Sequence, residues 1–268
     1  MKYISLISQQ LMAMGFLTKL SIFLKSTKLF KNWYVYPLVY FKLTKKDHVI
    51  FETKTGLKIK IRVNSTDLMA LTHVWVIQEY SDYNFSINND DVIIDIGAHI
   101  GLFALFASQF CKNGKIFCYE PIKENYKILI ENIEMNQIQN IFPNNLAVTK
   151  ETSRVKIFLN DDQSGHSMFI QNKNFVEVDS KSLSDIFIDN GIKECDFLKL
   201  DCEGAEYEIV ESISSDLFTK INKTVIEYHM VDTKPELLEQ LINKLKQFSF
   251  SVHTRPLFVD IGFLFAKK

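Results

Sequence analysis

With 268 residues, 47% of them apolar and only nine glycines and five prolines, the chain can bury a sizeable core and is neither fibrous nor low-complexity. Its net charge of −1 is unevenly placed: residues 1–46 hold eight lysines and no acid, so residues 47–268 carry −9. That acidic body, with three arginines in the whole chain (Arg62, Arg154 and Arg255), excludes a nucleic acid as the expected partner, because duplex binding needs a clustered basic surface.

Residues 1–46 read as a basic, aromatic-rich arm. Residues 3–18 lack charge but contain Ser, Gln and Thr, and fall short of the roughly 20 apolar residues of a spanning helix. No compact apolar run with a small-residue cleavage site follows. Residues 32–41 are aromatic-rich and flanked by lysines. Two readings of this arm stand: a helical arm packed on the domain or on a second subunit, and a segment lying on anionic lipid.

Residues 47–90 read as a β-hairpin and a helix leading into the core. The strands are 49–53 and 57–63, turned at Thr55 and Gly56, and the helix runs from Thr66 to Tyr80. From residue 91 to 268, strands and helices alternate. Strands are expected at 91–96, 115–120, 141–148, 154–159, 175–178, 196–201 and 223–229. Helices are expected at 100–111, 123–135, 181–190, 205–214 and 235–248, and the chain ends in an antiparallel pair at 249–254 and 259–266. This pattern predicts an α/β fold with a mostly parallel sheet, helices on both faces and an antiparallel C-terminal strand. The four cysteines (Cys111, Cys118, Cys195 and Cys202) form no Cys-x-x-Cys pair and lie in or beside apolar runs, as expected of reduced thiols in a cytoplasmic protein.

A parallel sheet places its ligand at the carboxyl ends of its strands. There the chain has Asp95, then Gly97-Ala98-His99-Ile100-Gly101, and Glu120 at the end of the next strand, closed by Pro121. The loop lacks the third glycine of the pyrophosphate fingerprint. An acid on each side suits a cationic sulfonium and ammonium ligand, S-adenosylmethionine (SAM), better than a dinucleotide. Asp95 can hold the loop amides or the methionine amino group, and Glu120 the ribose hydroxyls.

Four ordered pieces carry a more specific likeness: Ile94 to Gly101 (IDIGAHIG), Tyr119 to Asn125 (YEPIKEN), Asn144 to Val148 (NNLAV) and Leu198 to Glu206 (LKLDCEGAE). From Asp91 to about His229 the chain resembles the FkbM-type SAM-dependent methyltransferases. The resemblance implies a class I, Rossmann-like methyltransferase fold with a seven-stranded sheet, and methyl transfer usually to oxygen. It carries cofactor contacts onto Asp95, Gly97, Gly101 and Glu120, with Ala147 near the adenine. Ala98, His99 and Pro121 complete the expected cofactor site. Position 99, often Asn in that family, is His here, and the first 46 residues lie outside the resemblance.

Transfer to a hydroxyl needs the acceptor aligned and its proton removed. Asp201 ranks first as acceptor-orienting base or metal ligand, followed by His229, Glu203 and Glu227, because the strands ending there flank the cofactor strand. Asp201, Glu203 and Glu206 also suit a helix start, which is the alternative account of them. Two carboxylates and a histidine can hold a divalent ion, but no metal ligand is assigned at this level. The polar segment 161–167 is a candidate acceptor-binding loop. The expected activity is O-methylation of a sugar, glycolipid or natural-product hydroxyl by a cytoplasmic enzyme, with the arm available for membrane contact or homodimerisation. The alternatives are a catalytically silent binding protein on the same fold and a nucleic-acid methyltransferase, which lacks an Asn-Pro-Pro-Tyr-type motif here.

Overall fold

The computed structural model describes residues 15–80, 85–159 and 174–268. The segment 161–167 and the first 14 residues of the arm lie outside the described residues.

Short runs build the central strands, and three of them stop at Gly97, Glu120 and Asp201. β3 (Val92–Ile96), β4 (Lys115–Tyr119), β5 (Ile141–Asn144), β9 (Phe197–Leu200) and β10 (Lys223–Tyr228) pair in parallel, and β12 (Gly262–Lys267) runs antiparallel between β10 and β11 (Ser251–Pro256). The sheet order is β11-β12-β10-β9-β3-β4-β5, the expected seven strands with one reversed.

Alternation along β3 sends Ile93 and Asp95 to one face and Ile94 and Ile96 to the other. Each face has its own apolar core. The first takes the hairpin β1 (His48–Glu52) and β2 (Lys58–Arg62), together with α4 (Leu102–Ala107) and α5 (Lys123–Met135). The second takes α6 (Leu183–Asp189), α7 (Glu206–Ser212) and α9 (Pro235–Gln247).

Three expected elements change. The run 141–148 breaks after β5, and β6 (Ala147–Thr149) joins a separate small sheet with β7 (Ser153–Phe158) and β8 (Phe175–Ser182). Asn145 turns the chain there, donating to the carbonyls of Glu120 and Pro121 at 2.9 Å each. The helix expected over 66–80 is α3 (Asp67–Leu71) followed by a π-helical turn, Thr72–Ile77, stopped by left-handed Gln78 at φ 61°. The wider turn lets Trp75 Nε1 donate to the Leu102 carbonyl at 3.1 Å and frees Tyr80 from the helix. Finally, the helix expected over 205–214 ends at Ser212, and α8 (Ser215–Thr219) starts anew with Ser214 as its cap, accepting from Leu217 N.

In the arm, α1 (Phe16–Leu29) and α2 (Val35–Tyr40) lie on the chain's own hairpin and π turn. Ile22, Phe30, Tyr36 and Val39 are buried, Phe30 bridges to Thr53, and the Tyr36 hydroxyl meets Thr72 Oγ1 at 2.7 Å. Among the described residues, no helix is long and apolar enough to cross a membrane.

Candidate active site

A cavity opens at the carboxyl ends of β3, β4, β9 and β10, lined among others by Gly97, Ala98, His99, Glu120, Asp201 and Glu227. The glycine loop reaches it in a contorted path, with Gly97, His99 and Gly101 at φ 75°, 51° and 84°. A Cβ on Gly97 would lie 1.7 Å from the Asp201 carbonyl oxygen, so the loop and the end of β9 meet where only glycine fits. Gly97 N and Ala98 N both donate to the Tyr119 carbonyl at 3.0 Å.

Glu120 fastens the third loop amide. Its Oε2 accepts from His99 N at 2.8 Å, and its Oε1 accepts from Ile122 N at 2.9 Å and Asn125 Nδ2 at 3.3 Å. Burial pushes its carboxyl up to about 7, against the pull of those donors. Pro121 and Ala147 line the same cavity beside it.

Asp95 stands one layer back from the cavity. It is fully buried behind the loop and does not line the cavity. Its Oδ1 accepts from Lys199 Nζ at 2.9 Å, and Lys199 also donates to the Gly97 carbonyl at 3.1 Å and lies 3.6 Å from Asp201. Asp95 therefore braces the loop through Lys199, because alternation turns both side chains to the same face of the sheet. Burial disfavours charge on Lys199, but Asp95 and Asp201 outweigh it and hold the ammonium above its ordinary pKa. Gly101 also lies off the cavity, packed against Leu129.

Asp201 lines the cavity, and its Oδ2 accepts from the Tyr80 hydroxyl at 3.1 Å. It does not cap α7. The Gly204 amide at that helix start donates instead to Glu206 Oε2 at 2.8 Å. Glu206, fully buried, also accepts on Oε1 from His229 N at 3.0 Å and lies 3.1 Å from His229 Nδ1. The other ring nitrogen, Nε2, points toward Glu203 at 3.6 Å and Glu227 at 3.8 Å. Glu203 and Glu227 line the cavity, whereas His229 stands behind them. Burial and then Asp201 push the Glu227 carboxyl well above its usual range. For His229, burial opposes the charged form, but Glu203 and Glu206 prevail and raise it.

His99 Nε2 sits 3.0 Å from Arg62 Nη2. A guanidinium only donates, so this nitrogen accepts. Arg62 is held in turn by Asp67, through Nε at 2.9 Å and Nη2 at 2.8 Å. The sequence reading missed Tyr80, Lys199, Glu206 and this Arg62–Asp67 pair as parts of the site. Only Lys199 and Glu206 carried a signal, as charged residues inside the LKLDCEGAE run.

A family model described as the methyltransferase FkbM domain matches residues 95–252. The chain is 23% identical over 184 residues to the methyltransferase sdnD of Sordaria araneosa, covering 55% of this chain and 71% of that protein. It is 22% identical over 161 residues to methyltransferase 1 of Beauveria bassiana (strain ARSEF 2860), covering 52% and 65%. A crystal structure of methyltransferase FkbM from Methylobacillus flagellatus KT aligns at 16% identity with a TM-score of 0.49, over 74% of this chain and 53% of that one. The chain thus spans about half of the Methylobacillus protein and under two thirds of the Beauveria protein.

Proposed function

Because the chain belongs to the FkbM family of SAM-dependent methyltransferases, we propose that it methylates a hydroxyl oxygen on a sugar, glycolipid or natural-product acceptor. The observation that carries this reading is the meeting of the Gly97 loop, Glu120 and the Asp201 and Glu227 carboxylates around one cavity.

The residues present fit the cofactor. SAM carries positive charge on its ammonium and sulfonium, and this wall is rich in carboxylates. A carboxylate has about four acceptor sites, and three chain donors already meet Glu120. Asn125 Oδ1, buried in a residue lining the cavity, has no hydrogen-bond partner among the described residues and suits a ligand's donor. In this reading the loop from Gly97 to His99 and Glu120 hold the methionine and ribose parts, and Ala147 lies by the adenine. Asp95 and Gly101 support them from behind.

SAM supplies a methyl carbon on a sulfonium, open to in-line attack. Asp201 orients the acceptor hydroxyl and takes its proton, with Tyr80 fixing one carboxylate oxygen. Glu203 and Glu227 form the adjacent wall, with His229 behind them.

Calorimetry with SAM and S-adenosylhomocysteine tests the cofactor assignment, and label transfer from methyl-labelled SAM to a panel of sugars and glycolipids tests the acceptor class. Binding that weakens in Glu120→Ala, with label on an acceptor oxygen, is the expected result. A folded chain that binds neither ligand overturns the reading, and one that binds SAM but labels nothing points to the silent binding protein.

We also propose that the arm rests on the anionic face of a membrane in the cytoplasm. Phe16, Leu17, Leu20 and Leu24 share one exposed side of α1, with Phe16 and Leu17 77% and 78% exposed. Lysines surround them and no acid occurs before residue 47, so an anionic surface is the complementary partner.

A further inference from the structure

We propose that Asp201, Glu227 and His229 form a divalent-cation site in the cavity wall, suited to a first-row transition ion such as Mn²⁺. The sequence alone assigns no metal here; three geometric features do.

One ligand atom from each residue lies within 4.8 Å of the other two. Metal–ligand bonds of about 2.0–2.4 Å place ligands on opposite sides of an ion up to about 4.8 Å apart, so one ion can reach all three. The set is mixed, one imidazole nitrogen and two carboxylates, which favours Mn²⁺ or a neighbour over all-oxygen Ca²⁺.

The imidazole is oriented as a metal ligand is. Glu206 accepts from His229 N and Gly204 N, so it is an acceptor toward Nδ1 too, and the proton sits on Nδ1. The other nitrogen, Nε2, in a side chain that is 6% exposed, aims at Glu203 and Glu227 at 3.6 and 3.8 Å, where a bound ion would take the place of its proton. Those separations exceed a good hydrogen bond and leave room for an ion. A buried carboxylate behind a ligating histidine is the usual second support of such sites.

The carboxyl groups also crowd one point. Asp201, Glu203 and Glu227 converge in front of Glu206, while the nearby Lys199 is shared between Asp201 and Asp95. An ion here would face the cavity through Asp201 and Glu227, where it could orient an acceptor hydroxyl. That role rests on the methyltransferase reading, whereas the ion site itself does not.

The test titrates Mn²⁺ into the EDTA-stripped full chain, with free Mn²⁺ read by electron paramagnetic resonance. One ion per chain is expected, with affinity falling about tenfold or more in Glu227→Gln and in His229→Gln. The exposed control Glu211→Gln should bind as the unaltered chain does. His229→Gln strips a partner from buried Glu206 and can unfold, so Glu227→Gln, checked by circular dichroism, decides. No binding at millimolar Mn²⁺, or unchanged binding in folded Glu227→Gln, overturns the site. SAM calorimetry on the same stripped sample separates the two ideas: SAM heat without Mn²⁺ binding removes only the ion, and Mn²⁺ binding without SAM heat removes only the cofactor.

Discussion

The carbonyl oxygen of Asp201 fills the space where a side chain on Gly97 would begin, 1.7 Å from the Cβ position. Gly97→Ala must therefore push the end of β9 away while holding a left-handed φ of 75°. The strained backbone alone costs roughly 1–2 kcal/mol, and the overlap adds to it. We expect a loss of about 3 kcal/mol or more, and loss of SAM binding, because Asp201 and the loop shift together. Gly56→Ala is the control: φ is 96° but nothing lies within 4 Å, so the backbone cost stands alone. Thermal melts of the two variants compare them directly. Equal melting temperatures would show that the loop and β9 do not meet this closely.

Lys199 should be as sensitive for a different reason. It is a buried cation between Asp95 and the Gly97 carbonyl. Removing one partner of a buried pair leaves an uncompensated charge, at a cost of about 3–5 kcal/mol. Lys199→Met should lose that much in urea denaturation. Adding Asp95→Asn should return part of it, because the stranded charge is gone. A double variant no more stable than Lys199→Met would mean that Asp95 carries no charge in the fold.

These two residues also show why the site was only partly legible. Gly97, Glu120 and Asp201 stand where an apolar strand ends, so period and punctuation mark them. Lys199 lies inside an apolar strand, and nothing in the local pattern says that it faces Asp95, 104 positions earlier. Arg62 comes from the hairpin, Asp67 from α3 and Tyr80 from just past the π turn, and their approach to the sheet depends on tertiary packing. The break between β5 and β6 rests on one Asn145 side chain bonding to two carbonyls, which no periodicity encodes. Glu206 was read as a helix-start acid, and it does hold a helix-start amide, but its other oxygen serves His229.

Glu120 predicts a pH dependence. Burial raises its carboxyl to about 7, so below that pH the free chain carries it protonated. Ribose hydroxyls are donors and favour the ionised form, so SAM binding should release a proton and weaken as pH falls. With one such group, the affinity should drop about tenfold between pH 8 and pH 6. Glu120→Gln should bind more weakly and flatten this profile. Calorimetry across that range checks it, and an unaltered slope in Glu120→Gln would assign the titration to another group.

The arm makes a separable prediction. Leu17 and Leu24 are exposed on α1, 78% and 52%, while Ile22 and Phe30 tie the same segment to the hairpin. Changing the first pair should therefore spare the fold. The double variant Leu17→Asp, Leu24→Asp should keep its melting temperature and its SAM affinity. It should lose binding to vesicles rich in phosphatidylserine, both by removing buried apolar area and by lowering the local positive charge. Each lysine near an anionic surface contributes about 1 kcal/mol, an attraction screened beyond a Debye length. Binding of the unaltered chain should accordingly fall as salt rises, and should be weak on neutral vesicles. Flotation assays read both. Vesicle binding indifferent to salt and to the double variant would leave α1 without a membrane role, and a dimer lost in that variant would assign the face to a second copy of the chain.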